Sequence, residues 1–211
     1  MSALLPLALI AGAYLIGSIP FSWFVARLVS GKDIRTVGSG NVGATNVARS
    51  VGRIPGLIAL ILDGVKGWAA VVLAQVLLAS GAWPELGWLQ DAPSFWIGVS
   101  AVAAILGHMF PVWLGFHGGK GVATAAGIFL ALSPLSFLIA LVIFLLVWIS
   151  TRLVSLGSIL SAAAMPMALR FVEQSPFWTV IAGIVIAIAI ILKHRSNIAR
   201  MAAGEEPRFP K

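Results

Sequence analysis

"VATAAGIFLALSPLSFLIALVIFLLVWIS", residues 122–150, is apolar enough to lie in lipid over its whole length. Read as one helix kinked at Ser133-Pro134, it makes one crossing. Read as two helices, 122–132 and 134–150, it makes a tight hairpin. The two readings send everything after residue 150 to opposite sides of a membrane.

The basic residues choose between them, because Lys and Arg accumulate on the cytoplasmic side. Arg27, Lys32, Arg35, Arg49 and Arg53 cluster after the first apolar run, which makes that loop cytoplasmic and the N-terminus external. The loop 81–93 carries Glu85 and Asp91 and no Lys or Arg, as an outer loop should. Lys120 returns to the inside. With a hairpin, Arg152 is cytoplasmic, Glu173 external, and Lys193, Arg195, Arg200, Arg208 and Lys211 cytoplasmic again; with a single helix the whole basic tail lands outside. The hairpin reading gives an all-α polytopic membrane protein of about seven transmembrane helices, N-terminus outside and C-terminus cytoplasmic, in one domain, 1–211. The other spans are 4–26, 55–80, 94–113, 155–171 and 177–192, and 122–132 is the weakest crossing. The first run reads as a retained span. It lacks a basic leader, is long for a signal sequence, and is followed by Arg27 rather than a small-residue cleavage site.

Composition agrees. Of 211 residues, 60% are hydrophobic and 10% charged, against roughly 25% charged in a soluble domain. The mean hydropathy is +1.02. Such a chain cannot hide its apolar surface from water, so its solvent is lipid. The net charge of +7 falls between apolar runs and reads as topology control, not as nucleic-acid binding. The absence of cysteine excludes disulfides and thiolate chemistry. Trp83, Trp88, Trp96 and Trp178 fall near the outer boundary and Trp23, Trp113 and Trp148 near the inner one, where indole prefers to sit. Trp68 alone falls inside a span.

This map puts three polar, glycine-containing segments on the cytoplasmic face. In "GKDIRTVGSGNVGATNVARSVGR", 31–53, Gly38, Gly40 and Gly43 let backbone N–H groups approach a ligand. Ser39, Asn41, Thr45 and Asn46 offer neutral hydrogen bonds, and Arg49 and Arg53 stand one helical turn apart. In "LGFHGGKG", 114–121, a glycine-rich loop with Lys120 opens an apolar helix, an arrangement suited to an anion. It is not a Walker A loop, since Leu114 and Gly121 break that pattern. His108 and His117 flank it, and structural hydrogen bonding is the blander role for each. In "KHRSNIARMAAGEE", 193–206, the charges suit snorkelling anchors, but Asn197 adds no charge and needs another reason. Asp63 and Lys66 share a helix face inside a span and read as a buried ion pair. The three histidines lack metal-ligand spacing, and no nucleophile elbow is present.

Together "GSGNVGATN", "DGVKG", "GHMFPVWLGFHGGKGVAT" and "KHRSNIARMAAGEE" resemble the bacterial acyl-phosphate-dependent glycerol-3-phosphate acyltransferases, the PlsY family, over nearly the whole chain. The resemblance implies acyl transfer from acyl phosphate to the 1-hydroxyl of glycerol 3-phosphate, giving lysophosphatidic acid and inorganic phosphate. That is the first acylation of phospholipid synthesis, at the cytoplasmic face of the bacterial inner (plasma) membrane. It implies no cofactor and no metal. The partners are membrane lipid, the two substrates and the soluble enzyme that supplies acyl phosphate, with no nucleic acid. By the same resemblance Lys120 with the backbone of Gly118, Gly119 and Gly121 holds the phosphate of glycerol 3-phosphate. Arg49 neutralises a second phosphate beside Ser39, and His194 and Asn197 complete the catalytic set. Gly38, Gly40, Asn41, Thr45 and Asn46 bind or support substrate; Asp63, Lys66, His108 and Glu205 are structural. Without the resemblance, a small transporter of phosphorylated anions is the main rival, and a lipid-binding scaffold the next. Transporter sites sit near the midplane, often between inverted repeats. Here the polar segments lie at one boundary and no repeat is evident.

Overall fold

The computed structural model describes residues 4–80 and 93–209; Trp83, Glu85, Trp88, Asp91 and Lys211 lie outside the described residues. Ten α-helices are described: α1 Leu4–Ser18, α2 Phe21–Ser30, α3 Ala44–Ser50, α4 Arg53–Ala79, α5 Pro93–Met109, α6 Val122–Leu132, α7 Pro134–Thr151, α8 Val154–Met167, α9 Phe177–Lys193 and α10 Arg195–Ala202. Among the described residues five spans are long and apolar enough to cross a membrane, and a sixth is formed if α9 and α10, bent by 54° at their junction, count as one.

Each departure from a simple bundle has a local cause. The first span is broken at Pro20, which lacks an N–H and restrains Ile19. The Ile19 carbonyl freed by the break accepts from Lys66 Nζ at 2.7 Å, so an intramembrane lysine satisfies the backbone that lipid cannot. Arg49 and Arg53, expected on one helix face, fall on separate helices because Gly52, at φ 148°, ends the turn between α3 and α4. A π turn, Ala168–Val172, follows Pro166 in α8.

Residues 122–150 fold as a hairpin. Lys120, just before α6, lines the same cavity as Phe144 in the second half of α7. Trp148, in the last turn of α7, and Arg49, in α3, both stand against the Phe209 ring. The start of α6 and the end of α7 therefore lie at one face. At the other, Ser133 and Pro134 make the reversal, and Glu173 accepts from Ser136 N at 2.9 Å and Ser136 Oγ at 2.7 Å, capping α7. With 11 residues, α6 rises about 16 Å, roughly half the hydrocarbon thickness. Thr124, Ala125, Gly127, Ile128 and Phe129 in it are buried, so protein covers much of its surface, while Leu130 stays exposed. Its neighbour α4 comes very close: a Cβ on Gly127 would sit 1.9 Å from the Gly64 carbonyl, the small-residue approach that packs membrane helices. The outer helix α7 buries only Ser136 and Ala140 and presents a nearly continuous apolar surface.

Candidate active site

The first polar segment is shaped by one side chain. Asn46, buried at the start of α3, accepts from Ser39 N at 3.0 Å and donates to the carbonyls of Ile34, Val37 and Asn41 at 3.1, 3.0 and 3.0 Å. Its amide is committed to the loop, so it shapes the wall and leaves contact with a ligand to others. Gly38, Ser39, Asn41, Gly43 and Thr45 line the cavity beside it, whereas Gly40 does not.

The glycine loop differs from expectation in which backbone groups it offers. Gly118 N donates to Met109 O at 3.3 Å and Gly119 N to His108 O at 3.2 Å, because α5 ends there and its last carbonyls need partners. These two glycines cap α5 and stand behind the cavity wall. Lys120, Gly121, Val122 and Ala123 face the cavity instead.

Lys120 Nζ donates to Asn197 Oδ1. Asn197 Nδ2 donates in turn to Glu206 Oε1 at 2.6 Å, and Arg200 Nε donates to Glu206 Oε2 at 2.8 Å. Burial pushes the Lys120 amine down to about 8; Glu206 opposes this, and the charges of Arg200, Arg49 and Lys193 add to it. Burial also lowers Arg49, again against Glu206. Burial works to raise the Glu206 carboxyl, but hydrogen bonds from Asn197, Ser155 and Arg200 outweigh it and hold the group below its usual range. Four cationic or amide groups thus converge on one carboxylate. Glu205, expected to be structural, is exposed and lies outside the cavity. Gly204, at φ 74°, turns the chain so that Glu206 and not its neighbour points inward. Glu206, Arg200, Ser155 and Pro207 are cavity residues that the motifs did not single out. The Gly204-Glu205-Glu206-Pro207 turn was the available signal, but it could not say which glutamate faces in.

His194 is buried at the bend between α9 and α10, with Nδ1 2.8 Å from Ile190 O. A carbonyl only accepts, so Nδ1 carries the proton and Nε2 keeps its lone pair. Burial pushes this histidine down to about 4, with the Ile190 bond opposing and Lys120 adding to the depression. The ring is neutral at pH 7.

Below the cavity, Asp63 and Lys66 pair at 2.9 Å with both side chains almost fully buried. Ser22 Oγ donates to Asp63 Oδ2 at 2.6 Å, and His108 Nδ1 lies 3.7 Å from Asp63 Oδ1 and 3.1 Å from Thr124 Oγ1. Asp63 and His108 reach the cavity floor; Lys66 does not. This cluster ties α2, α4, α5 and α6 together. His117 bonds only locally, with Nδ1 2.6 Å from Gly115 O.

The polar cavity has a volume of about 550 Å³. A second, almost wholly apolar groove of about 620 Å³ runs between α4, α6, α7, α8 and α9 past Trp68, Leu130 and Phe137. The two share Leu60, Val122, Ala123, Phe144 and Ser158. A polar chamber lined by Arg49, Lys120 and Arg200 thus opens into an apolar groove.

These features define an integral membrane protein whose polar cavity is continuous with an apolar groove. The family model for glycerol-3-phosphate acyltransferase matches residues 7–204, and the chain belongs to that family. It is 47% identical over 203 residues to the glycerol-3-phosphate acyltransferase of Geobacter sulfurreducens, covering 96% of this chain and 97% of the relative. It is 48% identical over 200 residues to that of Trichlorobacter lovleyi, covering 95% of each. Among solved structures it is similar to crystal structures of PlsY, an integral membrane glycerol 3-phosphate acyltransferase. The glycerol 3-phosphate form superposes with a TM-score of 0.85 at 39% identity, covering 97% of this chain and 96% of that one. The lysophosphatidic acid form gives 0.82 at 37%, covering 97% and 95%.

Proposed function

We propose that the protein transfers an acyl group from acyl phosphate to the 1-hydroxyl of glycerol 3-phosphate. The observation that carries the reading is the continuity of the two cavities. A donor with a phosphate head and an acyl tail fits across the residues they share, with its carbonyl near Phe144 and Ser158. Lys120 and the start of α6 receive the glycerol 3-phosphate phosphate; Arg49, beside Ser39, receives that of the donor. The test is purified protein in detergent with radiolabelled glycerol 3-phosphate and palmitoyl phosphate. Lysophosphatidic acid should form with neither acyl-CoA nor acyl carrier protein present; product only with a thioester donor would reject the donor assignment. Turnover without a second compartment also rejects pure transport.

Acyl phosphate is a mixed anhydride with an activated carbonyl, so no acyl-enzyme is needed. The glycerol oxygen attacks the carbonyl carbon, the bond to the phosphate oxygen breaks, and inorganic phosphate leaves. Positioning and charge neutralisation supply the acceleration. The hydroxyl proton passes to a substrate phosphate dianion, whose conjugate acid has a pKa of about 6. A histidine held near 4 is a poor base at neutral pH but a good acceptor for aligning the hydroxyl. His194→Gln should therefore lower kcat while keeping the acidic inflection of the pH–rate profile. Loss of that inflection with substrate binding intact would make His194 the base.

The orientation is proposed from charge: seven crossings, N-terminus outside, active site on the cytoplasmic side of the inner membrane. An N-terminal tag should be labelled by an impermeant reagent in intact spheroplasts, and a C-terminal tag only after lysis. Two tags on the same side would end the seven-crossing count.

A further inference from the structure

Beyond α10 the chain turns at Gly204 and runs back across the polar face. The family match ends at that same residue, and Pro207 to Phe209 lie beyond the last of the shared motifs, which ends at Glu206. Pro207 O accepts from Arg49 Nη2 at 3.0 Å. Two residues on, Phe209 N donates to Arg152 O at 2.8 Å, at the end of α7. The Phe209 ring stands edge-on to Trp148, centroids 6.0 Å apart, and presents its face to the Arg49 guanidinium, 5.7 Å from the ring centre. α3 packs mainly on α4, and α7 mainly on α8. The tail is thus a strap joining two elements on opposite sides of the cavity.

We infer that Phe209 is a positioning residue, which pins this strap so that Arg49 holds its remaining donors toward a substrate phosphate. A guanidinium has five N–H donors in a rigid plane. One is given to Pro207 O, and the ring of Phe209 covers one face. Nε is buried with no protein acceptor, and Arg49 lines the polar cavity. A free arginine side chain would lose rotamer freedom on docking a phosphate. The strap removes that freedom before substrate arrives, which is preorganisation in the sense that favours binding. An aromatic ring suits the task, since it attracts the cation without competing for its donors.

The bland alternative is a hydrophobic plug that merely closes the bundle. The two differ in whether the effect of Phe209 passes through Arg49. The inference rests on the acyltransfer reading only for the identity of the phosphate, that of the acyl donor. Phe209→Ala should raise the KM for acyl phosphate about tenfold with kcat within about twofold and an unchanged melting temperature, the pattern of lost uniform binding. Phe209→Tyr, which keeps the ring, should restore wild-type KM, and the exposed Arg208→Ala should be silent. In an Arg49→Lys background, where the planar fork is already gone, Phe209→Ala should add less than about twofold. Full additivity there, a parallel fall in kcat and melting temperature, or no change in KM would each overturn the inference. A 31P NMR titration of the same variants with inorganic phosphate reads affinity without turnover, and Phe209→Ala should weaken it about tenfold. A wild-type protein that binds phosphate but transfers no acyl group would reject the proposed reaction, and this titration would still decide the role of the strap.

Discussion

Lys120→Ala is expected to lower kcat/KM several-hundredfold, the kinetic equivalent of about 3–4 kcal/mol for removing one partner of a buried charge pair. The loop brings Lys120 to the chamber with Asn197 as its only direct partner among the described contacts, and a neutral amide leaves the ammonium's charge available to a phosphate. Lys120→Arg should restore little, since a planar fork cannot take the place of a compact ammonium in a half-buried slot. The free protein should also show a basic limb. With the amine held near 8, raising the pH through that value removes its positive charge, so kcat/KM should fall above about pH 8. A bound dianion favours the charged amine, so the limb in kcat should lie at higher pH. Lys120→Ala should abolish the limb. Near-normal kinetics at normal expression would return the lysine to a purely topogenic role.

The residues legible in the sequence were those whose chemistry is unusual for their surroundings. A lysine among glycines, asparagines in a topogenic loop and an amide after the last span all stood out against lipid, and the structure brings Ser39, Asn41, Thr45, Arg49, Lys120, His194 and Asn197 to one chamber. The hairpin at Ser133-Pro134 was legible for an electrostatic reason, since only it returns the basic tail to the side of Lys120. What stayed hidden depended on backbone direction. No pattern in "GEEP" says that the turn at Gly204 aims Glu206, not Glu205, at Arg200. Nothing in "GGKG" says that two of its N–H groups close the end of α5, because that requires knowing where α5 stops. The break at Pro20 and its repair by Lys66 were likewise invisible, since the partner carbonyl lies 47 positions away in sequence. The apolar groove left no motif, because small and large apolar residues are indistinguishable from ordinary lipid-facing sequence until helices pack.

Gly119→Ala is expected to cost about a hundredfold in kcat/KM, the scale of a roughly 1 Å misplacement of a catalytic group. Its Cβ would lie 2.2 Å from His108 Nε2 and 2.6 Å from the carbonyl oxygen of Val42. Neither neighbour can yield cheaply. His108 is buried between Thr124 and Asp63, and its own carbonyl is bonded to Gly119 N. Val42 O is backbone in the first polar segment, between the cavity-lining Asn41 and Gly43. The loop itself must therefore shift, and it carries Lys120 with it as the next residue. The shift also loosens the bond from Gly119 N to His108 O that caps α5, so the variant should remain monodisperse in detergent with a melting temperature lowered by about a few degrees. Its defect should appear chiefly as a raised KM for glycerol 3-phosphate, with a smaller fall in kcat. Gly12→Ala, where an added methyl meets nothing within 4 Å, is the matched control and should be silent. Kinetics within about threefold of wild type for Gly119→Ala would show that the loop relaxes without moving Lys120, and the phosphate would then be held by something less exacting than the close approach of loop, His108 and Val42.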